Sequence, residues 1–143
     1  MDKNFKNDVS NRPGGENITL CYSCGSCTAT CPVSEVDDTF NPRLIIKKTL
    51  LGCKEEVLDN DDLWKCIQCR RCVSHCPQNV KFADIMRVLR DMSIEEGYYD
   101  KEVLTDIEAN DKELLKYRLN DVDQYLNDDK ELKVPDSGGD KNG

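Results

Sequence analysis

The hydrophobic and polar positions of this chain change period several times, and each change predicts a different element. The clearest helical period lies late, where Phe82, Ile85, Met86, Leu89 and Met92 recur at three- and four-residue steps. Arg87, Arg90 and Asp91 are set to face elsewhere, and the helix should end near Glu96 with Gly97 as its stop. A second helix is predicted to start at Asn41, a good N-cap, followed by Pro42, whose missing N–H suits the first helical position. Leu44, Ile45, Ile46, Leu50 and Leu51 give it an apolar flank, Lys47 and Lys48 a solvent side, and Gly52 a C′ residue. Lys54–Leu58 reads as a short helical piece, and Asp59-Asn60-Asp61 as a cap for a turn through Leu63, Trp64 and Lys65.

The flanks lack such order. Residues 1–16 hold one large apolar residue before Val9 (Phe5) and then Arg12-Pro13-Gly14-Gly15, so they read as a flexible N-terminal segment. Residues 98–132 scatter Val103, Leu104, Ile107, Leu114, Leu115, Leu119, Val122, Tyr125 and Leu126 among dense charge, with a break at Ala109-Asn110-Asp111. They read as an acidic extension of one or two helices docking on a partner, or as weakly ordered chain. Residues 133–143 read as a disordered tail. The domain proper is expected over residues 17–97.

Composition sharpens this. With 38% hydrophobic, 34% charged and 6% aromatic residues in a chain of 143, the core is thin for an independent domain. Small domains of that kind need a covalent or metal staple. The net charge of −8 is uneven: residues 1–16 are neutral, 17–96 carry −2 and 97–143 carry −6. Phosphate neutralisation needs clustered Lys and Arg, so nucleic acid is not an expected partner. No apolar run approaches the roughly 18 residues of a membrane helix, so direct membrane insertion is not expected. Met1 to Asn17 holds no signal-peptide core, which makes the expected compartment the cytoplasm and favours metal or redox use of cysteine over disulfides.

Nine cysteines supply the chemistry, and eight fall in two runs of identical spacing. Cys21-Tyr-Ser-Cys24-Gly-Ser-Cys27-Thr-Ala-Thr-Cys31-Pro32 returns as Cys66-Ile-Gln-Cys69-Arg-Arg-Cys72-Val-Ser-His-Cys76-Pro77. The pattern resembles the bacterial run with which two-cluster ferredoxins hold [4Fe–4S] cubanes. Structural zinc instead favours two C-x-x-C pairs separated by a longer span. Carried over by position, the resemblance implies that one cluster takes Cys21, Cys24, Cys27 and Cys76. The other takes Cys66, Cys69, Cys72 and Cys31, because in that family the proline-linked fourth cysteine serves the other cluster. With eight ligands present, two cubanes are expected rather than a [3Fe–4S] centre. A helix between the runs leaves no room for a compact β-hairpin ferredoxin, so the expected fold is an all-α, α-helical two-[4Fe–4S] ferredoxin domain with flexible termini.

The remaining candidates are secondary. Cys53 has no cysteine neighbour at ligand spacing and reads as an idle thiol in preference to a redox or contact residue. His75, beside Cys76, is a solvated loop residue or tunes a cluster. Arg70 and Arg71 favour the reduced cluster, meet an acidic partner, or are simply exposed. Trp64 is expected as a lid on the second cluster. There is no G-x-G-x-x-G, no P-loop, no nucleophile with its base, and no Cys-Cys-Gly repeat. The chain has electron-carrying sites and no reaction chamber, which suits a non-catalytic subunit of an oxidoreductase complex.

Three stretches resemble HdrC, the small iron–sulfur subunit of heterodisulfide reductase: Cys21 to Pro32, then Phe40-Asn-Pro-Arg-Leu-Ile-Ile-Lys-Lys-Thr-Leu-Leu-Gly52, then Leu63-Trp-Lys-Cys-Ile-Gln-Cys-Arg-Arg-Cys72. The likeness covers roughly residues 17–97. The cysteine runs alone would be shared with the iron–sulfur subunits of succinate and glycerol-3-phosphate dehydrogenases; the Asn-Pro-Arg helix and the Leu-Trp-x-Cys stretch narrow the choice. The resemblance implies a relay of single electrons between a flavin and iron–sulfur subunit (A) and a Cys-Cys-Gly subunit (B). In methanogens that machine reduces the CoM-S-S-CoB disulfide. A related cytoplasmic sulfur-oxidising complex working with a lipoate-binding protein is the alternative within the family. A free-standing diffusible ferredoxin and a purely structural cluster domain are the alternatives outside it.

Overall fold

The structure, a computed structural model, describes residues 1–127. Among them the regular elements are all helical. They run α1 (Phe5–Ser10), a 3₁₀ turn (Ile18–Leu20), α2 (Ser26–Ala29), α3 (Pro32–Val36), α4 (Pro42–Leu51), α5 (Lys54–Leu58), α6 (Asp62–Lys65), α7 (Arg71–Ser74), α8 (Phe82–Glu95) and α9 (Glu102–Asn127). Met1–Asp100 forms one compact unit and the chain from Lys101 a second. The predicted tail at 133–143 lies outside the described residues.

The helix signals in the sequence act as physical chemistry requires. Asn41 Oδ1 accepts the Leu44 N–H at 3.0 Å, Pro42 takes the first helical position, and Gly52 ends α4 with φ 79°. In α8, Phe82, Ile85, Met86, Leu89 and Met92 are all buried. They meet Phe40, just before α4, and Ile45, Ile46, Val57, Leu58 and Leu63 from α4 to α6 in the core. Two buried hydroxyls are paired inside it: Thr49 donates to the Ile45 carbonyl at 2.9 Å, and Ser93 to the Leu58 carbonyl at 2.5 Å.

Three expectations are corrected. The segment 1–16 is folded: Phe5 and Val9, one helical turn apart on α1, are both fully buried in the core. Two anchors were too few to show a period, yet the segment is held along its length. The Asp2 N–H donates to the Gly52 carbonyl at 2.7 Å, and Arg12 forms a two-pronged pair with Glu95 at 2.9 and 2.6 Å. Gly15 comes so close to the Val9 carbonyl that an added Cβ would lie 2.0 Å from its oxygen. Second, the buried face of α4 is narrower than its apolar flank: Pro42, Ile45, Ile46 and Thr49 are buried, while Leu44 and Leu51 are exposed. Third, Arg90 does not face solvent; it is 7% exposed.

In the second unit, α9 is a single helix that passes through Ala109-Asn110-Asp111 without a break. None of its residues is buried, and Leu114, Leu115, Leu119 and Leu126 are each at least half exposed.

Candidate iron–sulfur centres

The two cysteine runs fold twice in the same way. Cys21 and Cys66 are both extended, with ψ 120° and 116°. Two residues later Ser23 and Gln68 adopt φ 61° and 55°, and then Gly25 and Arg70 adopt φ 88° and 62°. Each loop thus turns through two left-handed residues before the short helix α2 or α7, and these helices pack on each other. Gly25 accepts that backbone freely; Arg70 carries a side chain there, which is disfavoured. Its guanidinium is fixed by a two-pronged pair with Asp84 at 2.8 and 3.0 Å.

The loops enclose two chambers. The first is lined by Cys21, Cys24, Cys27 and Cys76, with Ile46, Val80 and Phe82 as apolar wall. The second is lined by Cys31, Cys66, Cys69 and Cys72, with Val33, Pro42 and Ala83. Cys72 and Phe82 border both, so they stand where the chambers adjoin. Among the described residues, no three His, Cys, Asp or Glu side chains converge as they would around a single metal ion. The thiols are instead spread around the two chamber walls.

The chemistry of these donors fits a cluster. Burial pushes the Cys72 thiol up to about 11 and also raises Cys27 and Cys66. The Ser26 hydroxyl beside Cys24 pulls that thiol down. Buried thiolates in apolar walls need a cationic partner, and iron supplies one as the protons leave. Polar N–H groups already face several sulfurs: Ser23 N to Cys21 and Val80 N to Cys76, each at 3.4 Å, and Gln68 Nε2 to Cys66 at 3.6 Å.

Around the chambers the structure places the other candidates. Thr28 in the first loop donates to Asn41 Oδ1 at 3.0 Å and accepts the Arg43 N–H at 3.1 Å. The Asn41-Pro42-Arg43 stretch therefore clamps α4 to the loop, and Arg43 lines the first chamber. Arg70 lines the second. Trp64 is not part of either chamber wall. It packs edge-on against Tyr99, with ring centroids 5.3 Å apart, and under the Arg90 guanidinium at 5.4 Å, so it is no lid. His75 is exposed, with Nδ1 2.9 Å from the Arg71 carbonyl, and flanks an open groove beside Cys31. Cys53 stands apart from both chambers, in a cleft with Asp2, Lys54, Glu96 and Tyr98. Sequence reasoning missed Arg90, which donates to the Leu63 carbonyl from Nε at 2.6 Å and to the Cys66 carbonyl from Nη2 at 2.7 Å. Its position in the register, one residue after the buried Leu89, was the available signal.

Residues 17–80 match the 4Fe–4S dicluster domain family, which defines the class: an iron–sulfur protein with two [4Fe–4S] clusters. The chain is 38% identical over 104 residues to the C 2 iron–sulfur subunit of the CoB–CoM heterodisulfide reductase of Methanocaldococcus jannaschii, covering 68% of this chain and 55% of that protein. It is 38% identical over 84 residues to the corresponding iron–sulfur subunit of Methanopyrus kandleri, covering 59% of this chain and 43% of that protein. It is 33% identical over 126 residues to the C subunit of the ferredoxin:CoB–CoM heterodisulfide reductase of Methanosarcina acetivorans, covering 88% and 45%. The chain belongs to the HdrC family of heterodisulfide reductase iron–sulfur subunits. It spans about half the length of the curated relatives it matches. Among the described residues no helix is long and apolar enough to cross a membrane.

Proposed function

We propose that the chain is the electron relay of a heterodisulfide reductase-type complex. It holds one [4Fe–4S] cluster through Cys21, Cys24, Cys27 and Cys76 and the other through Cys66, Cys69, Cys72 and Cys31. The observation that supports the ligand assignment is the lining of the chambers: the first joins the first three cysteines of one run to Cys76 of the other, with Cys72 shared at the border, and the second joins Cys66, Cys69 and Cys72 to Cys31. Each bound cluster stores and releases one electron. The chain's own residues supply the thiolates, exclude water with Phe82, Val80 and Ala83, and fix the distance between the sites through the adjoining wall at Cys72.

On this reading the electron donor and acceptor are a flavin and iron–sulfur subunit (A) and a Cys-Cys-Gly subunit (B), and the reaction served is reduction of CoM-S-S-CoB. The support is the names of the relatives above, several of which are CoB–CoM heterodisulfide reductases. The helix α9 is the docking extension. It presents exposed Leu114, Leu115 and Leu119 among seven acidic and three basic side chains, which suits an apolar groove with a basic rim.

Anaerobically prepared protein should contain about eight irons and eight sulfides. Cys31→Ser should damage the cluster of the second run, and Cys76→Ser that of the first. The reverse pattern, or zinc in place of iron, would overturn the ligand assignment. Co-purification of the tagged chain from its native host with a flavoprotein and a Cys-Cys-Gly protein would support the relay; recovery of the chain alone would favour a free ferredoxin.

A further inference from the structure

Backbone amides face sulfurs of the first run, and the Cys24 corner carries a side-chain hydroxyl as well. Ser26 opens α2 two residues after Cys24, with its Oγ 3.4 Å from the Cys24 sulfur. Its main chain is pinned, because the Ser26 carbonyl accepts the Thr30 N–H at 3.1 Å and the Thr30 hydroxyl at 2.9 Å. Replacing the side chain leaves both of those bonds in place. The Thr28 hydroxyl, by contrast, donates to Asn41 and has no proton left for a sulfur. In the second run the same step from Cys69 leads to Arg71, which is exposed and lines the open groove beside Cys31 and His75. Among the described residues no hydroxyl reaches the Cys69 sulfur. The side-chain donor of the second chamber is the Gln68 amide, at a different corner, 3.6 Å from Cys66.

A hydroxyl turns to suit its partner. Beside a neutral thiol it can accept; once iron has displaced the thiol proton, the sulfur only accepts and the hydroxyl donates to it. The preference of Ser26 for negative charge on this sulfur shows in the free thiol, where its hydroxyl is the foremost of the groups that pull Cys24 down. A donor that stabilises negative charge on a ligand sulfur also stabilises the reduced, more negative state of the centre that sulfur serves.

We propose that Ser26 is a positioning residue for electrons: by donating to the Cys24 sulfur, its hydroxyl raises the reduction potential of the first cluster and leaves that of the second unchanged. The chain thereby adjusts its two centres separately, through Ser26 at one. One electron arrives from a flavin or iron–sulfur donor in the complex, or from a mediator dye in the test. The Ser26 proton stays on its oxygen, and no covalent bond forms or breaks. This proposal rests on the reading of the two chambers as cluster sites, and not on which run supplies each fourth cysteine.

The test is a potentiometric titration of the full chain followed by electron paramagnetic resonance, after iron analysis has given about eight irons. Cys69→Ser identifies the second-cluster signal by altering it, and the remaining signal is that of the first. Ser26→Thr and Ser26→Val put the same branched shape beside Cys24, and only Ser26→Thr keeps the hydroxyl. Relative to Ser26→Thr, Ser26→Val should shift the first-cluster reduction equilibrium about tenfold toward the oxidised form, 59 mV for one electron, with the second signal in place. Ser26→Thr should stay close to the unaltered protein. Equal first-cluster potentials in the two variants, or equal shifts of both signals, with the iron content intact, would overturn the role of Ser26 and leave the cluster assignment standing. Where a branched side chain costs iron, Ser26→Ala against the unaltered protein makes the same comparison. Loss of iron in Ser26→Ala as well would make Ser26 a support for the ligand loop and would equally overturn the proposal. Fewer irons in the unaltered protein would instead overturn the assignment on which it rests.

Discussion

Thr28 donates its hydroxyl proton to the Asn41 side-chain oxygen at 3.0 Å, and through that bond the first cysteine loop is fastened to α4. The same oxygen caps the helix by accepting the Leu44 N–H. Asn41→Ala removes both interactions and should destabilise the folded protein by about 1–2 kcal/mol, as loss of an N-cap does. Asn41→Asp retains the acceptor and should fall close to the unaltered protein. Denaturant midpoints of the two variants check this; equal loss in both would mean that the acceptor oxygen is not what matters.

The α1 segment should behave as part of the core. Phe5 is fully buried, so Phe5→Ala should lose about 3–5 kcal/mol through transfer and cavity terms. Lys6→Ala, on the exposed side of the same helix, should change stability by less than about 0.5 kcal/mol. Comparable midpoints for the two variants would show that the helix does not pack in solution.

Two glycines separate backbone strain from steric conflict. Gly97 has φ 79° with nothing within 4 Å of an added Cβ, so Gly97→Ala should cost about 1 kcal/mol from the left-handed backbone alone. Gly52 has the same φ, but its Cβ would lie 2.2 Å from the Asp2 carbonyl oxygen. Gly52→Ala should therefore be the more damaging and should detach the Asp2 end of the chain. Faster amide exchange at Asp2, with the core amides unchanged, would report that detachment.

Alkali offers a pH test. Burial first, and then the bond to Asp61, push the Tyr99 phenol up to about 12. An unfolded tyrosine ionises near pH 10. The folded value is the higher one, so the stability linked to neutral Tyr99 is fully present below about pH 10 and is lost as pH rises toward 12. Tyr22 is also raised by burial, so an ultraviolet phenolate titration should show more than one delayed tyrosine, of which the component near 12 disappears in Tyr99→Phe. If all the tyrosines ionise together near pH 10, the packing of Tyr99 on Trp64 is not maintained in solution.

Much of this was legible before the structure, and the failures have physical causes. Asn41-Pro42 and Gly52 marked the ends of α4 because capping is local chemistry, and the register of α8 was visible because its five core residues share one face. The α1 segment was missed because two anchors give no period, and its burial is decided by distant partners in α4 and α8. The periodicity sets Arg90 off the apolar face of α8 and says nothing of what it meets there. Its burial depends on two backbone carbonyls and an indole ring supplied from α6 and the loop after it, which no local pattern records. The cysteine spacing announced two clusters, while the crossed grouping of Cys31 with Cys66, and of Cys76 with Cys21, was implied by the resemblance to two-cluster ferredoxins and not by the spacing itself.

That grouping bears on how the protein is made. The first run leaves the ribosome well before Cys76, so the wall of the first chamber is incomplete while the second run is still being synthesised. The second chamber likewise draws on Cys31 from the earlier run. On the proposed ligand assignment neither chamber closes around its cargo until both runs are present, so loading would be a late event and the maturation of one centre would be tied to that of the other.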